Sequence, residues 1–299
     1  MEFPTEEGSS PFAPGNEAMT PPEITAIRTN GSLPDTPGWT LRVVPNKYPA
    51  LTADDAPGPA TDGEPHQLPG YGVHEVIVET ERSDADLGDL SVSAVAAFLR
   101  TLRDRVRTHA ADRRLAQVVV FKNHGETAGA TIRHAHTQLL GLPLVPGGIA
   151  RELDGARAYY QAHGRCFFCD AMADASRMID KGDAGAALAP FAPRLPYETW
   201  IVPRRHHSHF EAVEDAEFES LAALLRRTLR RLAGILERPP YNLILHSAPL
   251  REAPRVDYHW HLEIIPRVTN LAGFELGTGW HINPVRPEEA ARRLKETHV

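Results

Sequence analysis

Apolar positions along the chain recur with two different periods, and the switches between them lay out its elements. Trp39 to Val44 reads as a strand that stops at Pro45-Asn46-Lys47-Tyr48-Pro49, and His74 to Thr80 alternates as a second strand. Val92, Val95, Leu99, Leu102 and Val106 fall at helical spacing, which predicts an amphipathic helix from residue 91 to about 109 with its apolar face buried. Val118 to Phe121 is a short apolar strand. After a loop comes Arg133-His134-Ala135-His136-Thr137-Gln138-Leu139-Leu140, in which polar rings and an amide alternate before an apolar run. Pro143 and Pro146 close this half. Met1 to about Pro22 is rich in Pro, Gly, Ser and Glu and is expected to be irregular or partly disordered, and Thr52 to Gly72 is a loop by the same criteria.

The second half repeats this plan. A helix around Arg151 to His163 leads to a pair of cysteines, and Tyr197 to Pro203 is a strand ending in proline. Phe218, Leu221, Leu225, Leu229, Leu232 and Leu236 make a second long amphipathic helix, followed by strands at Tyr241 to His246 and Tyr258 to Pro266. Arg42-Val43-Val44-Pro45 is echoed by Trp200-Ile201-Val202-Pro203, and His134-Ala135-His136 by His259-Trp260-His261. The shared order favours duplication of one α+β unit. The expected fold class is α+β, each repeat an antiparallel sheet packed with helices. The expected division is 1–22 as an irregular segment, 23–150 as a first domain and 151–299 as a second.

Length and composition narrow the setting without changing this layout. A chain of 299 residues with 42% hydrophobic content can bury one large core or two ordinary ones. A net charge of −7 and a pI of about 6.1 argue against a general nucleic-acid binder, yet leave room for one local basic pocket that holds a phosphorylated small molecule. No membrane span and no signal peptide is legible in the sequence, so a cytoplasmic protein is expected. Cys166 and Cys169 are the only cysteines, too few for a disulfide framework, and leave a metal pair or a redox pair open.

The chemistry is concentrated around the first histidine pair. In an extended strand His134, His136 and Gln138 would line one side. Upstream, Asn123-His124-Gly125 and Ala128-Gly129-Ala130-Thr131 supply small residues where a phosphate could approach backbone N–H groups. Together they suggest a nucleophile beside an anion cradle. The plainer alternative is a polar strand face carrying two surface histidines.

The His-x-His-x-Gln strand with two apolar residues after it, preceded by Asn-x-Gly and Gly-x-Thr, resembles the histidine-triad superfamily, and within it the galactose-1-phosphate uridylyltransferase family. The likeness extends to Pro11–Glu23, Arg42-Val43-Val44-Pro45-Asn46 and Gly273-Phe274-Glu275-Leu276-Gly277-Thr278-Gly279, so that it covers nearly the whole chain in order. The resemblance implies that His136 attacks the α-phosphorus of a nucleotide sugar, expels the sugar 1-phosphate and carries the nucleotide until a second phosphorylated acceptor collects it. It implies phosphate contacts from Gln138, Asn123, Gly129 and Thr131, with Asn46 near the nucleoside base and Phe274 and Glu275 near the sugar, either of the same chain or of a homodimer partner. Hydrolase branches of the superfamily carry a further histidine where Gln138 stands, so Gln138 favours transfer. Lys122 receives no role.

The same resemblance implies a zinc in each repeat of many relatives. In the first repeat the matching positions read Ser10, Ala13, Ser83 and His134, so three of four ligands are missing and His134 is left with a hydrogen-bonding role. In the second, Cys166, Cys169, His206 and His259 match at every position and imply one closed structural zinc; a surface redox pair is the alternative. His261 stands where the nucleophile would be, but Glu263 replaces the glutamine and no Asn-x-Gly cradle precedes it, which points to a second repeat without catalysis. His207 and His209 are expected to be solvated neighbours of His206. The expected function is nucleotidyl transfer between a nucleotide sugar and a hexose 1-phosphate, with UDP-glucose:hexose-1-phosphate uridylyl transfer first and ADP-sugar phosphorolysis or adenylyl transfer as the near alternative. A non-catalytic nucleotide-binding protein is the third reading.

Overall fold

The computed structural model describes residues 10–54 and 70–299; most of the expected loop at 52–72 lies outside these. Ten strands form one antiparallel sheet: β1 Thr25–Arg28, β2 Trp39–Pro45, β3 Val73–Val78, β4 Gln117–His124, β5 His136–Leu142, β6 Met178–Lys181, β7 Gly185–Leu188, β8 Thr199–Pro203, β9 Tyr241–His246 and β10 His261–Pro266. Their order in the sheet is β1-β2-β3-β5-β4-β9-β10-β8-β7-β6. Read inward from the two edges, the halves have the same order, and they meet where β4 pairs with β9, Asn123 opposite Asn242.

Both long helices lie on one face of this sheet. Helix α1 (Val92–Ala110) starts where Ser91 accepts a hydrogen bond from the Ala94 N–H, and α4 (Phe218–Leu236) packs beside it. In between run α2 (Gly147–His163) and α3 (Phe167–Ala173), and after the last strand come α5 (Gly273–Thr278) and α6 (Pro287–Glu296), which opens on a proline, a residue suited to a first helical turn. Leu99, Leu102 and Val106 of α1 and Leu221, Leu225 and Leu229 of α4 share one buried cluster with Val120, Leu139, Leu243 and Ile264 of the sheet. The cluster crosses the seam between the halves. Since odd and even positions of a strand face opposite ways, burying Leu139 and Thr137 under the helices turns His136 and Gln138 to the other face.

Several sequence expectations are corrected here. Strands β5 and β10 each begin at the second histidine of their pair, because the first histidine bonds to backbone outside the ladder. Within 10–22 the chain is irregular but packed rather than disordered: Phe12 and Glu17 are buried, and Glu17 accepts the Trp39 indole N–H at 2.8 Å. His209 is buried, not solvated, with its ring between Ser208 Oγ and the Pro249 carbonyl. Strands β1, β6 and β7 carry no strong pattern of their own. They are four residues each, at the edge side of the sheet, where pairing with a neighbour supplies what their sequence does not. No helix of the described residues is long and apolar enough to cross a membrane.

Candidate active site and metal centre

His136 stands at the start of β5, between Val78 of β3 and the end of β4. Its Nδ1 lies 2.8 Å from the His134 carbonyl oxygen, which can only accept; Nδ1 therefore carries the proton and Nε2 keeps its lone pair. Burial, together with repulsion from Lys122 and His134, pulls the ring down to about 4 despite that hydrogen bond. The imidazole is thus neutral at pH 7 and presents an unprotonated nitrogen. Phe12 covers one side of it, with ring centres 5.2 Å apart. His134 is held in turn, its Nε2 2.7 Å from the Thr80 carbonyl and its Nδ1 3.3 Å from Ser10 Oγ, so Ser10 stands on the nitrogen that a metal would have taken.

Gln138 follows on the same face, and its orientation is fixed by a residue that sequence reasoning overlooked. The Ala50 N–H donates to His74 Nδ1 at 3.1 Å, so the proton of His74 is on Nε2, which donates to Gln138 Oε1 at 2.8 Å. With its oxygen engaged, Gln138 can only offer its amide N–H groups outward. Asn46 joins this group, its Nδ2 3.1 Å from His74 Nε2 and its Oδ1 accepting the Tyr48 N–H. The signal was available in part, since His74, Val76 and Val78 alternate on one strand, but that β3 lies beside β5 was not.

The loop after β4 supplies the remaining residues. Asn123 Oδ1 accepts from Asn242 Nδ2 at 2.8 Å, and the same Nδ2 donates to the Ala128 carbonyl, which pins the loop to the second half of the sheet. Gly129 has φ of +90°, a left-handed conformation that costs glycine nothing, and its Cα faces the Asn123 amide. Gly125 is left-handed too, and a Cβ there would come within 2.8 Å of Pro240. Thr131 is exposed with no bond to another described residue. His136, Gln138 and Asn46 are thus brought together around His74, with Asn123 and Gly129 a strand away. Phe274 and Glu275 are not: they sit on α5, which buries none of its residues.

Beneath this face, on the helix side, lies a charged knot. Lys122 Nζ is 2.9 and 3.1 Å from the two Glu79 oxygens and 3.1 Å from Asp86, Thr137 donates to Glu79 at 2.7 Å, and Tyr241 donates to Asp86 at 2.7 Å. All are buried or nearly so. Thr137 sits between His136 and Gln138, so the knot grips the backbone that carries both.

In the second half Cys166, Cys169, His206 and His259 converge, their ligand atoms all within 4.8 Å of one another. Cys169 Sγ is 3.4 Å from His206 Nδ1 and 3.7 Å from His259 Nδ1, against about 3.5 Å between sulfur and nitrogen around a tetrahedral metal. His206 Nε2 donates to the Arg255 carbonyl and His259 Nε2 to the Arg205 carbonyl, so both Nδ1 lone pairs point at the centre. A hydrogen bond from the Cys169 thiol holds the Cys166 thiol below its ordinary range, against the effect of burial. The donor set fits a closed four-ligand metal site.

His261 repeats the posture of His136, its Nδ1 3.2 Å from the His259 carbonyl, but not its surroundings. His246 stacks on it at 4.5 Å, and Phe168 and Trp200 close in at 4.7 and 4.8 Å. Burial would lower the His246 pKa, but hydrogen bonds to Glu152 and Glu263 on its two nitrogens outweigh that and push it up to about 10. Both nitrogens donate, so His246 offers no lone pair.

Known proteins resemble this chain along nearly its whole length. Residues 72–298 match a domain family of unknown function, DUF4921. An ADP-glucose phosphorylase of Arabidopsis thaliana is 35% identical over 296 residues, 97% of this chain and 82% of that protein; a galactose-1-phosphate uridylyltransferase of Thermotoga maritima is 28% identical over 87% of this chain and 86% of its own. The crystal structure of an Arabidopsis thaliana ADP-glucose phosphorylase with bound ADP-glucose superposes with a TM-score of 0.88 at 33% identity, covering 100% of this chain and 93% of the other, and a uridylyltransferase structure does so at 0.83 and 30%, covering 99% and 93%. The likeness runs through both halves of the sheet and not through one motif alone. The chain therefore belongs to the galactose-1-phosphate uridylyltransferase family of the histidine-triad superfamily, as an α+β enzyme of that nucleotidyl-transferring group.

Proposed function

We propose that the protein transfers a nucleoside monophosphate from a nucleotide sugar through a covalent intermediate on His136, with an ADP-sugar as donor and inorganic phosphate as acceptor. The observation that carries the mechanism is the tautomer of His136, whose Nδ1 proton is committed to the His134 carbonyl. Nε2 forms a bond to the α-phosphorus while the bond from that phosphorus to the sugar-phosphate oxygen breaks, and the sugar 1-phosphate leaves with its electron pair. The positive charge left on the ring is stabilised by the carbonyl at Nδ1. The Gln138 amide and the N–H groups and side chains at Asn123, Gly129 and Thr131 hold the phosphoryl oxygens, Asn46 lies toward the base, and a phosphate oxygen then displaces His136 to release the nucleoside diphosphate. The adenylyl reading rests on the greater likeness to ADP-glucose phosphorylase. Uridylyl transfer to a hexose 1-phosphate is the second reading, supported by the likeness to the uridylyltransferases. Supplying ADP-glucose with phosphate, and separately UDP-glucose with galactose 1-phosphate, separates them: rapid release of glucose 1-phosphate from the first pair alone supports the proposal, and turnover of the second pair alone reverses it.

The group at Cys166, Cys169, His206 and His259 holds one zinc in this reading. With all four positions filled by protein it keeps none open for water, so it ties α3 to the ends of β8 and β10 rather than taking part in the reaction. The family's sugar-facing residues fall on an exposed apolar stretch, where Phe274 is 49%, Leu276 75%, Trp280 75% and Ile282 67% exposed. Such a patch suits a contact between two copies of the chain, and the proposed assembly is a homodimer in which Phe274 and Glu275 of one copy reach the site of the other. Sedimentation of Trp280→Ser should then show dissociation; an unaltered dimer, or a monomer before substitution, counts against it.

A further inference from the structure

The sheet carries a recess of about 660 Å³ on the helix side, and so opposite the His136 face. Tyr241 turns into it while its neighbour Asn242 turns to the active-site face. Its wall is Tyr241, Leu229 and Ala233, and at its rim stand Arg133, Arg226, Arg230 and Arg238. The carboxylates around it already have cations: Asp84 has Arg82 at 3.3 Å, Asp86 has Lys122 at 3.1 Å, and Asp89 has Arg238 at 3.3 Å. Arg133 and Arg230 make no hydrogen bond or ion pair with any described residue, and Arg226 engages only its Nε, with the Leu90 carbonyl at 2.6 Å. Arg226 and Arg230 lie one turn apart on α4, a like-charged pair that weakens a helix unless something anionic lies between.

We propose that this recess is an effector site for a phosphorylated small molecule, with the phosphates held by Arg133, Arg226 and Arg230 and the organic part against Leu229 and Ala233. Guanidinium forks match phosphate oxygens two at a time, and the volume is that of a small-ligand pocket rather than of a single ion. The effector role rests on the nucleotidyl-transfer reading, and the route is short. Arg133 is bonded in sequence to His134, whose carbonyl fixes His136, and Asp86 at the recess holds Lys122, which through Glu79 holds Thr137 beside the same ring. Occupancy of the recess therefore acts on both supports of the nucleophile.

The test is isothermal titration of the full chain with inorganic tripolyphosphate, comparing the unaltered protein, Arg133→Ala with Arg230→Ala, and Gln138→Leu. Neither arginine has a hydrogen bond or ion pair with a described residue to lose, so the double variant is expected to fold. The arginine pair should weaken tripolyphosphate binding by about tenfold or more, while Gln138→Leu leaves that binding in place. Turnover of the nucleotide sugar should change with tripolyphosphate in the unaltered protein and lack that component in the arginine double variant. Equal affinity in the unaltered and arginine-variant proteins overturns the site, and identical tripolyphosphate effects on their turnover overturn the effector role. Should no nucleotide turn over in any of the proteins, the reaction assigned above has failed, whereas the titration still decides the recess.

Discussion

Replacing Lys122 by methionine removes the one cation from the knot beneath the active-site strand. The side chain is 1% exposed, and its Nζ contacts both oxygens of Glu79, itself fully buried, as well as Asp86. Methionine fills a similar volume, so the cavity cost is small and the loss is electrostatic. Removing one partner of a buried ion pair costs about 3–5 kcal/mol, because the other charge is left without compensation. Here two carboxylates are left, which places the expected loss of unfolding free energy at pH 7 in that range. Burial already pushes the Glu79 carboxyl above its ordinary value, and without Lys122 it rises further. The folded state then binds a proton that the unfolded state has released, so stability falls as pH rises from the unfolded carboxylate value through the folded one. Urea unfolding of Lys122→Met should accordingly show a larger deficit at pH 8 than at pH 5, and adding Glu79→Gln should recover part of it. A loss below about 1 kcal/mol that is the same at both pH values would refute the reasoning.

Further outcomes follow from the same geometry. Because His136 is held near 4, the acid limb of the pH–rate profile that reports the nucleophile should lie well below the ordinary imidazole value, and an acid limb near 6.5 would show that the ring is not buried as described. His74→Phe keeps a ring but frees Gln138 Oε1, and should lower turnover by about 10- to 100-fold with little change in unfolding free energy; unchanged turnover would remove His74 from the site. Metal analysis should find about one equivalent of zinc per chain, with chelation lowering the melting temperature and activity together, whereas a chelated protein that stays folded but inert would contradict a purely structural metal.

The long elements were legible because their periodicity is strong: β9 was read from Tyr241 to His246 and α4 from Phe218 to Leu236, as they stand. The edge strand β6 and its neighbour β7 escaped because pairing within the sheet, not their own sequence, makes them strands. Within the site, the residues on one strand or loop could be listed from spacing. What could not be read is contact across strands: that His74 turns the Gln138 amide, that Asn242 of the second half holds the Asn123 loop, and that Glu79 takes both Lys122, passed over in the sequence, and Thr137. These pairings join residues from 43 to 119 positions apart, and only the register of the sheet brings them together.

The central claim is a covalent nucleotide on one named nitrogen. The direct measurement is mass analysis of protein mixed with ADP-glucose in the absence of acceptor, quenched under alkaline conditions, digested with trypsin and fragmented. The account predicts the added mass of one nucleoside monophosphate on the peptide from His134 to Arg151, placed at His136, and its loss on adding phosphate and in His136→Ala. An adduct at His134 or His261, or turnover of the nucleotide sugar by His136→Ala at an undiminished rate, would contradict it.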